Sequence, residues 1–307
     1  MISLILLEKI CALLIVLFSG VLLVRVGVLD RDASKPLSAL LVYLVTPCSV
    51  ISSFQLEYSA DTRDGLFMAA KYGLLTIVIM ITVTHFLGRV LHMSTVEMAS
   101  VDYANAGNLI IPIVSAVWGS EYVIFCSAYI CIQLFFMWSH GKSLLCGEKG
   151  IDIKKILLNC NIIAVLIGLV CFFGRITFPT VINDTLVWVA DMIGPLAMLI
   201  AGIQLGGTTL RRVLGYHRVW LVAALRLVFF PLLWVALFKL LPLGSDIPES
   251  ETIKAIALLG MIGPSASNIT AMSRLFGGDA EYASVINMVT TILCAATIPM
   301  IMAIYGA

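Results

Sequence analysis

Apolar runs of about 20 residues recur from Ile2 to the C-terminus of this chain, each long enough to cross a hydrocarbon core as a helix. Inside lipid every backbone polar group must find its partner within the protein, so only helices or closed barrels can span. Barrel strands would be about ten residues long and alternate strictly, and no such alternation is visible. Hydrophobic residues make up 61% of the 307 and charged residues 12%, against roughly half and a quarter in soluble domains. Ten spans consume about two-thirds of the chain, which leaves short loops and no soluble domain. The expected class is therefore all-α, a polytopic membrane protein with ten transmembrane helices. The first run contains Glu8 and Lys9 and lacks a basic leader, so it reads as a first helix rather than a cleaved signal. The eight cysteines contain no CxxC pair, and only Cys146 looks loop-borne; all are expected to act as small buried hydrophobes. The four histidines lack metal-type spacing, so no metal or cofactor is expected. The net charge of +1, without a dense basic cluster, points away from nucleic acid.

The predicted spans are Ser3 to Leu29, Leu37 to Leu56, Leu66 to Leu91, Thr95 to Trp118 and Tyr122 to Leu145. Then come Lys155 to Phe173, Val181 to Leu205, Val219 to Leu241, Thr252 to Ser273 and Tyr282 to Tyr305. With the N-terminus outside, the inner loops hold Arg25, Arg31, Lys35, Arg89, Lys142, Lys149, Lys154, Lys155, Arg211, Arg212, Arg218 and Arg274. The outer loops hold only Arg63, Arg175 and Lys254. Positive charge stays on the cytoplasmic side, and an even span count puts both termini outside.

The two halves echo each other. Pro47 lies in the second span and Pro195 in the seventh, each followed by small residues and a Gln-Leu pair at Gln55 and Gln204. Pro112 lies in the fourth span and Pro264 in the ninth; the two proline pairs are 148 and 152 residues apart. Residues 1–150 and 151–307 then form two five-span repeats. Five is odd, so the second repeat is inserted upside down, as in many secondary transporters.

Chemistry concentrates at the fourth and ninth spans. Asn105 and Asn108, in NAGNLIIP, share a helix face. Pro112 has no N–H and deprives the Asn108 carbonyl of its partner; Pro264 does the same to Gly260, with Ser265, Ser267 and Asn268 directly following. Two half-helices starting after these prolines would aim partial positive charge and free N–H donors at a shared point, a site suited to a carboxylate. The bland alternative is that these residues only kink the helices and glue them together.

The stretches TPCSVISSFQL, NAGNLIIP, FMWSHG, GPLAMLIAGIQL and GPSASN occur in this order over essentially the full length. In them the chain resembles the auxin efflux carrier family of bacterial permeases, relatives of the plant PIN auxin carriers within a superfamily that includes the bile-acid carriers. The resemblance implies ten helices in two inverted repeats, broken helices four and nine that cross, and transport of weak organic acids such as auxin, malate or malonate-like acids. It also implies alternating access, with helices one, two, six and seven as one panel and the rest as the other. The stretch after Asn105 departs from the Gly-rich form usual in the family.

A charge at mid-membrane is costly and needs an account. Arg226, midway through the eighth span, either attracts the anion or holds an acid such as Asp102 or Asp191; the structural role is preferred. Asp191, one turn before Pro195, is a candidate proton carrier if burial makes its charge costly, and Asp102 a structural, gating or coupling acid. Lys71 and Lys239 are expected to snorkel to the surface. Gln55 and Gln204 are expected to bond neighbouring helices. The partners are thus the bilayer, a small organic anion and a coupling ion, proton or sodium; a homodimer is a further option. The competing functions are a sodium-coupled symporter of bile-acid type and an intramembrane enzyme, for which no HExxH, GxSxG or GxGD motif is present.

Overall fold

The computed structural model describes residues 2–147, 157–207, 215–240 and 249–306. Among these the chain is helical throughout, and its only β-type pairing is an isolated bridge between Ala104 and Ser265. In chain order the helices are α1 Ile2–Arg25, α2 Ser34–Ser53, α3 Ala60–Val90, α4 Thr95–Asp102, α5 106–117 and α6 Ser120–Cys146. After residues that lie outside the description come α7 Cys160–Gly174, α8 Thr180–Gly206, α9 Val219–Leu240, α10 Ser250–Ile262, α11 Ser267–Phe276 and α12 Ala280–Tyr305.

Six of them (α2, α3, α6, α8, α9 and α12) are long and apolar enough to cross a membrane. Two shorter apolar stretches, Cys11–Arg25 and Cys160–Gly174, add to these. The remaining helices, α4 with α5 and α10 with α11, form two segments that are each interrupted once. Bulky apolar side chains such as Tyr43 (73% exposed), Trp188 (72%) and Phe86 (67%) face outward. A helix surface of that kind suits the hydrocarbon of a bilayer.

Helices α1 and α8 are brought together by glycines. A Cβ on Gly202 would stand 2.0 Å from the Leu17 carbonyl oxygen, and one on Gly20 would stand 2.6 Å from that of Leu199. Small residues of this kind let membrane helices approach backbone to backbone. Glu97, 2% exposed, ties three helix starts together. Its carboxylate accepts from the Ser94 N–H in a capping box, from Arg218 Nε at 2.8 Å and from the Tyr282 hydroxyl at 2.8 Å.

Several expectations are corrected here. The fourth segment does not break at Pro112. Its α4 ends at Asp102, Tyr103 is extended (φ −114°, ψ 123°), and α5 then runs through Pro112 without interruption, opening on a π-turn at Ala106–Ile110. Pro112 occupies the first turn of the regular helix Ile111–Val117, where a missing N–H costs least, and its Cβ faces Gly194 of α8. Ala60 and Val219 begin α3 and α9, and Ser120 and Ala280 begin α6 and α12, pairs separated by about 160 residues, against 148 and 152 for the prolines. Cys146 ends α6 rather than lying in a loop. Lys254 is 5% exposed and ion-paired to Glu251 at 2.8 Å instead of sitting free in a loop. Lys71 and Lys239 are exposed, as snorkelling requires, and Lys239 donates to the Ile304 carbonyl at 3.0 Å. Of the inner-loop cations, Lys149, Lys154, Lys155, Arg211 and Arg212 lie outside the described residues.

Candidate functional site

The two interruptions meet. Proline disfavours helical backbone in the residue before it, and Gly263 accordingly takes extended angles (φ −63°, ψ 167°) before Pro264. Helix resumes only after Ala266 (φ −68°, ψ 131°). The extended residues of the two segments run antiparallel: Asn105 N–H donates to the Pro264 carbonyl at 2.8 Å, and Ala266 N–H donates to the Tyr103 carbonyl at 2.9 Å.

A two-stranded bridge leaves outer edges unpaired, which buried backbone at membrane depth does not tolerate. Side chains from the next helix of each half close them. On one edge the Gln133 amide of α6 behaves like a third strand: its Oε1 accepts from Ala104 N–H at 3.0 Å and its Nε2 donates to the Ala104 carbonyl at 2.8 Å. The Tyr129 hydroxyl fixes that amide, donating to Oε1 at 2.9 Å. On the other edge α12 supplies Thr290, whose Oγ1 accepts from Ser265 N–H at 3.1 Å, and Asn287, whose Nδ2 donates to the Ser265 carbonyl. The helix ends that run into the crossing are capped from α9. Arg226, fully buried, donates to the carbonyls of Val101 at 2.7 Å, Met261 at 2.8 Å and Gly263 at 2.9 Å.

A cavity of about 420 Å³ opens beside this crossing. Asn105, Ser267, Asn268, Asn287 and Thr291 line one wall and Gln204 of α8 the other. The cavity continues into a second of about 600 Å³ that also contains Lys35, Arg274 and Gln204. The first turn of α11, at Ser267, turns the positive end of the helix dipole toward the same space. The arrangement offers neutral amide and hydroxyl groups at the crossing and charges of both signs at the mouth, where Asp32, ion-paired to Lys35 at 2.9 Å, and Glu281 share the lining with Arg274.

The predicted residues are distributed as follows. Asn105, Ser267 and Asn268 share the cavity wall. Pro264 and Ser265 build the crossing itself and are buried, with the Ser265 hydroxyl lacking a hydrogen-bond partner. Pro112 is elsewhere, and the side chain of Asn108 lies outside the described residues although its backbone is part of the Ala106–Ile110 turn. Arg226 bonds main-chain carbonyls and not an acid. Asp102 is fully buried with neither carboxylate oxygen hydrogen-bonded. Asp191 caps the first half of α8 and is exposed, so the burial expected for it is absent. Pro47 opens Thr46–Ser53 inside α2, after a π-turn at Leu41–Val45, and Pro195 lies in the first turn after the interruption of α8. Gln55 bonds the neighbouring segment, accepting from Phe178 N–H at 2.9 Å. Sequence inspection missed Gln133, Asn287 and Thr290; their signal was an amide or hydroxyl in spans that are otherwise apolar.

Apolar spans around two interrupted, mutually bonded segments beside a polar cavity define a multi-pass membrane transport protein. The family model described as membrane transport protein, the auxin efflux carrier type, matches residues 5–150 and 148–302, and the chain belongs to that family. No curated protein matches it.

Proposed function

We propose that this protein is a secondary transporter for a small organic anion, working by alternating access around the crossing. The observation that carries the proposal is the cavity at the α11 N-terminus, where Asn105, Asn268 and Asn287 converge. Its volume of about 420 Å³ lies within the range typical of small-ligand sites. Amides donate to a carboxylate, and the helix dipole favours its charge.

On this reading α4–α5 and α10–α11 are the fourth and ninth of ten membrane segments. They belong to two inverted repeats, 1–150 and 151–307, with α1, α2, α7 and α8 forming the panel against which the rest moves. The split of the family match near residue 150 supports that division. Both termini then lie outside, and the cavity mouth, with Lys35 and Arg274, faces the cytoplasm of a plasma-membrane protein. Proton coupling falls to Asp102, whose buried and unbonded carboxylate is the more costly charge, and not to the exposed Asp191. An Asp102→Asn variant with fully retained pH-dependent transport would rule this out.

The test is a thermal-shift screen of purified protein against small mono- and dicarboxylates at two pH values, followed by counterflow of any hit in proteoliposomes. A true ligand at 100 times its Kd adds about 2.7 kcal/mol of stability, a shift easily read. Absence of any shift, together with absence of saturable counterflow for all acids tried, would overturn the reading.

A further inference from the structure

Arg226 is the one feature at the crossing that anion transport by itself does not call for. It is 0% exposed in the middle of α9, and its three nearest acceptors are all backbone oxygens. They come from the C-terminal ends of two different helices: Val101 O from α4, and Met261 O and Gly263 O from the end of α10. Those ends carry the negative pole of the helix dipole and the carbonyls that the interruptions deprive of helical partners. The Met80 sulfur, 3.4 Å from Nη1, closes the remaining side. In carriers built on interrupted helices, unwound carbonyls and half-helix C-terminal ends are the groups that coordinate a coupling cation. Here those oxygens already have a cation on them, delivered by a side chain. A guanidinium, planar with five directed N–H donors, can serve three carbonyls from two helices at once and stays charged.

We propose that Arg226 is a resident cation: its guanidinium permanently fills the carbonyl cage at the helix ends, so the crossing is held together without sodium or any other free cation. The inference rests on the carrier reading for its functional half and on the crossing geometry for its structural half. The positive charge bonds α4 to α10 across the break, which neither helix can do for itself, since carbonyls do not bond carbonyls. Asp102, next in sequence to Val101, is the buried acid that shares an electrostatic interaction with Arg226 without a direct bond. Arg226 is thus a positioning residue: it sets the spacing of the two helix ends and, through them, of Asn105 and Ser267 on the cavity wall.

The experiment compares the wild-type chain with Arg226→Lys, Arg226→Met and Arg226→Ala, purified in detergent and reconstituted. The wild type is expected to melt at the same temperature, and to transport at the same rate, in sodium chloride and in choline chloride. Met conserves length and apolar volume but no charge, whereas Lys keeps the charge. If charge is what matters, Lys retains uptake within about tenfold of wild type while Met falls at least about tenfold below Lys. Arg226→Ala leaves an empty cage, and methylguanidinium at about 10 mM, far below denaturing concentration, should raise its melting temperature and not that of the wild type. A sodium requirement in the wild type, a Met variant equal to the Lys variant, or an Ala variant indifferent to methylguanidinium each overturns the proposal. Should Arg226→Ala not be recovered folded, the comparison of Lys with Met decides. Melting needs no transported substrate, so failure of the carrier reading shows itself separately, as a wild type without uptake but with the expected cation response.

Discussion

At the scale of single residues, the two amides that close the crossing differ in what they face. Gln133 is 4% exposed and spends both ends of its side chain on Ala104. Gln133→Leu strands a buried N–H and a buried C=O, each costing about 1–3 kcal/mol, so the variant should lose about 2–6 kcal/mol. A melting curve in detergent that matches wild type would contradict the role given to this amide. Asn287 both bonds the Ser265 carbonyl and lines the cavity. Asn287→Ala should therefore lower the melting temperature and weaken ligand binding together. Asn268→Ala, at the cavity wall, should weaken binding by roughly tenfold, the value of one hydrogen bond to a charged group, at unchanged melting temperature. Titration of the screened carboxylate against the three variants checks this pattern. A residue-level reading of the sequence reached Asn105, Ser267 and Asn268 because polar groups beside Pro264 stand out in an apolar span. It passed over Gln133 and Asn287 because a lone amide in a helix says nothing of a backbone partner 22 to 29 residues away.

At the scale of elements, the two interruptions have different causes. The one between α10 and α11 is written locally, by Pro264 acting on Gly263. The one between α4 and α5 has no proline within it; Tyr103 and Ala104 are extended because Gln133 and the opposite strand supply the bonds a helix would have given them. The matched prolines of the sequence are therefore not matched in space. Pro264→Ala should permit helix through residue 264 and depress transport strongly. Pro112→Ala, inside a helix that already forms, should be close to silent in uptake and melting temperature alike. Equal damage from both would contradict the assignment of the break. The α1–α8 contact is a second element-level commitment. Gly202→Leu sets a side chain against the Leu17 backbone, which cannot yield as a flexible side chain would. About 1–3 kcal/mol of destabilisation is expected, read as a lower melting temperature.

Across the whole molecule, the cavity beside the crossing runs on into the larger one lined by Asp32, Lys35, Arg274 and Glu281, its mouth. On the proposed orientation this is the cytoplasmic side. In a background with the eight native cysteines replaced, Ser284→Cys at the cavity mouth should react with a membrane-impermeant maleimide from the cytoplasmic side only. Labelling from outside would invert the orientation. The ion-pair cluster of Glu97, Arg218 and Tyr282 joins α4, α9 and α12 at one face and gives the moving panel, as proposed, a rigid base.

The spans, their helical nature and the concentration of polar groups in two of them follow from sequence alone, because hydrocarbon imposes its demand locally: about 20 apolar residues and self-satisfied backbone, repeated. What only the folded chain decided is where α4 parts from α5, which side chains close the crossing, and that Arg226 serves carbonyls instead of an acid. Those outcomes depend on hydrogen-bond partners between 22 and 163 residues apart. No local pattern encodes a distance of that kind; it exists once α6, α9 and α12 have packed around the two breaks.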